Sequence, residues 1–307
     1  MAGVYIHIPF CRSKCFYCDF FSRPDSKNAS SYTDALLGEW RMRRHELTEP
    51  VETIYIGGGT PSVLPHHLLE KLIGGLTADI DLTTIKEFTI EANPEDISAD
   101  SLSVWKSLGI TRVSIGIQSF SASELMAVGR RHSPESAIEA LSALSQSGIN
   151  YNADLIFGLP GQNLDTWKRN LNQLLDFKPP HFSAYLLSYE QGTRLYAMKE
   201  KGMVIEASDN LAIDMYRHLC TAARNHGYRH YEISNFSLPG KEAKHNSSYW
   251  NYTPYLGLGA AAHSFDGLVR RYNPPHISRY IKSVSTGIAP FETDEETVEN
   301  RFNDYLI

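Results

Sequence analysis

The chain has 307 residues, 42% hydrophobic and 21% charged, enough for one large α/β domain or two ordinary ones with a sizeable core. A net charge of −6 supplies no basic field, so nucleic acid and anionic membrane surfaces are not expected as partners. No apolar run reaches the roughly 18 residues of a membrane-spanning helix, and Met1 leads straight into a strand with no signal peptide; four cysteines, three of them clustered, suit a reducing cytoplasm.

The first β-like run, residues 4–8, opens directly into Cys11, Cys15 and Cys18, spaced C-x3-C-x2-C. Three thiols this close on one loop can converge on one metal centre, because no long segment has to be closed to bring them together. Structural zinc prefers four protein ligands, commonly as two C-x2-C pairs, and no second pair is present. A cubane iron–sulfur cluster held by three cysteines keeps one iron open for an outside ligand. The spacing therefore favours a cluster over zinc.

Five further β-like runs follow, at 53–56, 87–91, 112–117, 151–157 and 181–187. Amphipathic segments near 32–46, 65–76, 99–108, 134–146, 164–175 and 209–225 lie between and after them. This alternation predicts right-handed βαβ units and a parallel sheet. The expected fold is α/β, a partial six-unit (β/α) TIM-like barrel over 1–226, with an appended C-terminal region over 227–307. The barrel is preferred because informative residues gather at strand C-terminal ends, where barrels place their chemistry. The second strand ends in Gly57, Gly58, Gly59 and Thr60, a run that lets backbone approach a ligand closely but alone marks only a tight turn. Glu91 ends the third strand and Gln118 the fourth; Arg130 lies a short helix further on, and Asp154 is in the fifth. Each is singly as consistent with a satisfied core polar group as with a ligand contact. Arg131 and His132, beside Arg130, are equally consistent with a solvated position and are not counted among the ligand contacts; Cys220 is expected to be a core residue on its helix.

In the appended region, 228–236 reads as one more strand and 295–307 as a helix. Between them lies the run His245-Asn-Ser-Ser-Tyr249-Trp250. An imidazole is a good axial ligand for heme iron, and the two aromatics offer flat surface for a porphyrin; a loop histidine packed with two aromatics is the plainer reading. His263 is a weaker candidate, and His7 is expected to be packed below the cysteine loop.

Taken in order, these motifs resemble the radical S-adenosylmethionine (SAM) superfamily, in its coproporphyrinogen-oxidase-like branch, over essentially the whole chain. The resemblance implies a [4Fe–4S] cluster on Cys11, Cys15 and Cys18, with the open iron chelating SAM. It further implies SAM contacts from Tyr5, Gly58, Gly59, Thr60, Glu91, Gln118, Arg130 and Asp154, and a contact from Tyr17 to a second SAM. Two functions compete within the branch. One is oxygen-independent decarboxylation of coproporphyrinogen III; the other is a cytoplasmic heme chaperone that binds heme and delivers it to respiratory enzymes at the membrane. Oxidases of the branch carry a fourth motif cysteine where this chain has Phe20, and a long segment before the cluster where it has ten residues. The resemblance thus implies the chaperone, with heme at His245, Tyr249 and Trp250 and no coproporphyrinogen oxidase activity. Relatives also continue into a small helical C-terminal domain, which this chain is expected to lack. Monomer and homodimer both stay open.

Overall fold

The computed structural model describes residues 1–294, so the helix expected over 295–307 lies outside the described residues. Six strands form where the β-like runs stand: β1 (Ala2–Ile8), β2 (Val51–Gly58), β3 (Glu87–Ala92), β4 (Arg112–Gln118), β5 (Asn150–Phe157) and β6 (His181–Leu186). They run parallel in chain order. The helices between and after them are α1 (Ala29–Arg43), α2 (His66–Thr77), α3 (Ala99–Ser107), α4 (Ala122–Ala127), α5 (Pro134–Ser147), α6 (Leu164–Asp176), α7 (Arg194–Glu200) and α8 (Asp209–Asn225). The short α7 has no counterpart in the sequence reading. Ser98, Ser133, Asn163, Thr193 and Ser208 cap α3, α5, α6, α7 and α8 by accepting a backbone N–H.

The barrel is open. β6 is followed in the sheet by an antiparallel hairpin, β7 (Arg229–His230) and β8 (Asn235–Ser237). The single strand expected over 228–236 is thus broken in two. The Glu232 carboxylate accepts the Ser234 N–H at 2.9 Å, closing a local turn that reverses the chain. On the other side, the free edge of β1 is taken by β9 (Tyr255–Leu258), which runs parallel to it. α9 (Lys244–Trp250) precedes β9 and packs near β2. Beyond β9 the sheet continues antiparallel through β10 (His263–Phe265), β11 (Arg270–Tyr272) and β12 (Glu292–Asp294), with α10 (Ile277–Ser285) against α1.

Successive strand residues point to opposite faces of the sheet, and here the two faces differ in chemistry. The outward set, including Ile54, Ile56, Phe88, Ile90, Val113, Ile115, Ala153, Leu155 and Phe182, is buried under the helices in one continuous apolar core. The inward set is polar: Thr53 and Tyr55 on β2, Glu87, Thr89 and Glu91 on β3, Arg112 and Ser114 on β4, Asn152 and Asp154 on β5, and His181 and Ser183 on β6. Barrels ordinarily fill their interior with branched apolar side chains. This one has a polar lumen.

α1 anchors the segments after residue 250 through a buried charged group. Glu39 and Arg43 are 0% and 1% exposed and pair at 2.7 Å. Glu39 also accepts the Gly259 N–H at 2.9 Å, the Asn273 side-chain amide at 2.9 Å and the Tyr280 hydroxyl at 2.7 Å. Its lone pairs are fully used, which is what a buried carboxylate requires.

Candidate cofactor site

The loop after β1 is held from three sides. Cys11 N–H donates to Arg23 O and Arg23 N–H to Pro9 O, so the loop closes on itself. Phe16 N–H donates to Val128 O, and Leu195 N–H donates to Phe16 O, tying the loop to the end of α4 and the start of α7. Gly129 has φ +71°, and a β-carbon there would lie 2.5 Å from the Phe16 ring, on which the Arg194 guanidinium stacks at 3.8 Å. The glycine of the Gly129-Arg130 pair thus makes room for the ring between Cys15 and Cys18. The loop after β2 does the same beneath Cys11: Gly59 N–H donates to Ile8 O and Thr60 N–H to Phe10 O. A β-carbon on Gly59 would stand 2.7 Å from Phe10 O and 3.0 Å from Cys11 Sγ.

Cys11, Cys15 and Cys18 are free thiols on the wall of one cavity of about 490 Å³ that extends from the C-terminal ends of the strands along the lumen to Asn246 on α9. Burial pushes Cys18 up to about 11 and moves Cys11 in the same direction, so without iron both carry their protons at neutral pH. Arg130 approaches Cys15 Sγ at 3.6 Å and the Thr60 hydroxyl approaches Cys11 Sγ at 3.5 Å. Among the described residues no three His, Cys, Asp or Glu side chains are placed to share one metal ion. A cubane takes each cysteine on a different iron, and three thiols on one cavity wall can supply such a set.

The same cavity is lined by Tyr17, Gly58, Gly59, Thr60, Glu91, Gln118, Arg130 and Asp154. Glu91 accepts the Tyr55 hydroxyl at 2.7 Å and the Gly58 N–H at 3.0 Å; burial lifts its carboxyl to about 7. Gln118 closes β4 in the left-handed region at φ 65°, at a shift in the β4–β5 register. A non-glycine residue held there costs roughly 1–3 kcal/mol and is the kind of local strain found at binding sites. Arg130 Nη2 donates to Asn93 Oδ1 at 2.7 Å and to Gly116 O at 2.6 Å. Burial opposes its charge, but Tyr17, Cys15 and Glu95 around it keep it protonated above the ordinary range. Its Nε is buried without a partner, a donor left over for a ligand acceptor such as a carboxylate. Asp154 accepts from Asn152 at 2.6 Å and from Ser114 at 3.3 Å, and burial raises its carboxyl. The cradle, the leftover guanidinium donor and the two half-buried carboxyls suit an amino-acid-bearing nucleoside such as SAM.

Tyr5 stands apart from the cavity wall. It stacks on Tyr55 at 6.1 Å, and its hydroxyl lies 3.0 Å from His7 Nδ1. His7 is 3% exposed, packed beneath the cysteine loop through Nε2 to Phe21 O, as the sequence reading has it. His132 is buried, with Nε2 3.0 Å from Ile117 O, whereas Arg131 is exposed. Cys220 is half-buried against the apolar core.

His245, Tyr249 and Trp250 lie on α9 at the opposite, N-terminal end of the barrel. His245 is 1% exposed, whereas Tyr249 is 37% and Trp250 52% exposed. Both imidazole nitrogens are engaged, Nδ1 with Thr53 Oγ1 at 2.8 Å and Nε2 with the Tyr249 hydroxyl at 3.0 Å. Burial lowers the imidazole to about 3, so it is neutral at neutral pH. Glu87 accepts the Lys244 and His245 N–H groups at 3.0 Å and so seats the helix. His263 is exposed and tilted against Tyr272.

Thr53, Tyr55, Glu87, Arg112, Asn152 and His181 line this lumen, and the motif reading missed them all. Strict alternation with apolar neighbours in five consecutive strands was the signal that could have found them.

Residues 5–174, more than half of the chain, match the family described as the radical SAM superfamily. Proteins named heme chaperone HemW are similar over most of the length. That of Lactococcus lactis is 36% identical over 286 residues, covering 92% of this chain and 75% of that protein. That of Bacillus subtilis is 35% identical, covering 100% and 82%, and that of Escherichia coli 37%, covering 85% and 69%. The chain belongs to the radical SAM superfamily and, at these identities, to the family of these HemW proteins. Among solved structures, coproporphyrinogen III oxidase from Escherichia coli superposes with a TM-score of 0.83 at 22% identity, over 99% of this chain and 74% of that one, which shows a shared fold. No helix among the described residues is long and apolar enough to cross a membrane.

Proposed function

We propose that this protein is a heme chaperone built on a radical SAM barrel, which binds heme at α9 and hands it to a respiratory enzyme. The observation that carries the reading is α9 itself: a neutral, buried imidazole directly behind an exposed tyrosine and tryptophan. The HemW names of its relatives support it. Trp250 and Tyr249 would take the porphyrin face, and His245 is the candidate iron ligand. With both ring nitrogens bonded, coordination requires the Tyr249 hydroxyl or Thr53 to give up its bond.

At the other end, Cys11, Cys15 and Cys18 would hold a [4Fe–4S] cluster. Gly58, Gly59, Thr60, Glu91, Gln118, Arg130 and Asp154 would hold SAM, with Tyr17 over the same cavity. When bound, the pair supplies one-electron cleavage of a sulfonium bond. The protein's own part is to fix the cofactor's charged ends against Arg130 and Glu91 and to keep the cysteine loop closed. Position 20 offers no fourth thiol, since Phe20 stands 65% exposed at the cavity rim.

The test pairs two anaerobic assays on cluster-reconstituted protein. Heme titrated by Soret absorbance should bind the wild type, more weakly Trp250→Ala and His245→Ala, and coproporphyrinogen III should not be decarboxylated. Turnover, or heme affinity indifferent to both α9 changes, would overturn the reading.

A further inference from the structure

The cofactor end and α9 are joined through β2, whose inward residues Thr53, Tyr55 and Gly57 run along the lumen. Thr53 bonds His245 Nδ1, and the His245 ring stacks on Tyr55 with centroids 5.2 Å apart and planes at 27°. Tyr55 is flanked on its other side by Tyr5, at 6.1 Å. Its hydroxyl donates to Glu91 Oε1 at 2.7 Å, and Glu91 Oε2 accepts the Gly58 N–H. The rings and the carboxylate pack into the space that two glycines leave. A β-carbon on Gly3 would lie 3.2 Å from the His245 ring, and one on Gly57 would lie 2.6 Å from Tyr55 and 2.8 Å from Glu91.

We propose that His245 is a positioning residue for the cofactor site: its ring holds Tyr55, and Tyr55 holds the Glu91 carboxylate against the glycine-rich loop. Its assignment as a candidate heme ligand then describes only part of its role. Whatever displaces the imidazole at α9 loosens Glu91 at the far end of β2, and by linkage SAM at Glu91 favours the seated imidazole. The inference rests on the reading of Glu91 as a SAM contact.

The experiment measures SAM affinity of the cluster-reconstituted chain by equilibrium dialysis, with the melting temperature of each variant alongside. His245→Gln, which keeps polar contacts but loses the ring, should weaken SAM about fivefold to tenfold, within the ordinary range of site coupling. His245→Phe, which keeps the stacked ring, should stay within about twofold whatever it does to melting, because the coupling runs through the ring. Tyr55→Phe should weaken SAM, and adding His245→Gln to it should cost nothing more, since both changes cut one chain of contacts. If Glu91→Gln weakens SAM while His245→Gln does not, the inference falls and the cofactor reading stands. Equal losses in the Gln and Phe variants that follow melting temperature would also overturn it, leaving a merely structural histidine. If Glu91→Gln leaves SAM affinity unchanged, the cofactor reading and the inference fall together.

Discussion

Gly59→Ala puts the packing of the cysteine loop to a direct test. The added carbon would stand 2.7 Å from Phe10 O, 2.9 Å from Ile8 O and 3.0 Å from Cys11 Sγ. Two of those atoms are backbone, so no rotamer change relieves the contact, and the glycine loop must part from the segment leading to Cys11. The hydrogen bonds from Gly59 N–H to Ile8 O, 2.9 Å, and from Thr60 N–H to Phe10 O, 2.7 Å, go with it. Overpacking costs typically ~1–3 kcal/mol. Each backbone bond lost adds ~0.5–1.5 kcal/mol. The expected loss is about 3 kcal/mol of unfolding free energy, read by urea denaturation of the iron-free chain, with lower iron and sulfide content after reconstitution. Gly74→Ala is the control: it lies exposed inside α2 with no atom within 4 Å of the added carbon. There alanine should stabilise by ~0.5–1 kcal/mol, because only the helix-forming cost of glycine changes. A Gly59→Ala protein within ~0.5 kcal/mol of wild type and with full cluster content would refute the close-approach argument.

Cys15→Ala should abolish the cluster, read as loss of iron, sulfide and visible absorbance; full retention would remove the cysteine assignment. Arg43→Met strips the partner from a fully buried carboxylate at Glu39 and should cost ~3–5 kcal/mol in chemical denaturation, with the contacts of α10 and β9 loosened first in hydrogen exchange. Glu91 and His245 give pH dependences of opposite sign. Burial raises the Glu91 carboxyl from 4.5 to about 7, so its contribution is fully present below pH 4.5 and is lost as pH rises through 7; Glu91→Gln should flatten that decline in the iron-free protein. Burial lowers His245 from 6.5 to about 3, so its contribution holds above pH 6.5 and is lost as pH falls towards 3; His245→Phe should flatten that acid limb.

The six parallel strands and the helices between them were legible because β-branched runs and amphipathic segments alternate at βαβ spacing, and each strand is buried outward under a helix. Cys11, Cys15 and Cys18, the glycine run and the strand-end residues were legible as motifs, and of these and Tyr5 all but Tyr5 and Gly57 meet at one cavity. The 228–236 hairpin was not legible, because its break depends on one carboxylate–amide contact at Glu232 inside an otherwise β-like run. Nor was the seat of His245. The motif reads as a loop histidine with two aromatics, whereas it forms a helix seated by Glu87, 158 residues away in sequence. Long-range polar contacts of this kind leave no local pattern.

The polar lumen decides how strongly the two ends of this barrel can feel each other. In an apolar interior, a displaced side chain at α9 would be absorbed by repacking, since dispersion contacts are many and non-directional. Here the intervening groups, Tyr55 and Glu91, are half-buried on the cavity wall and hydrogen-bonded to each other. Tyr55 has Glu91 as the acceptor for its hydroxyl, and Glu91 has Tyr55 and Gly58 N–H as donors. A directional hydrogen bond of this kind is worth ~0.5–1.5 kcal/mol, so moving one member favours movement of the next. A protein that bound heme and SAM at unconnected sites would have no use for such a train. One in which cargo at α9 is sensed at the cofactor end would require it, and β2, with Thr53 at one site and Gly58 at the other, is the element that spans the distance.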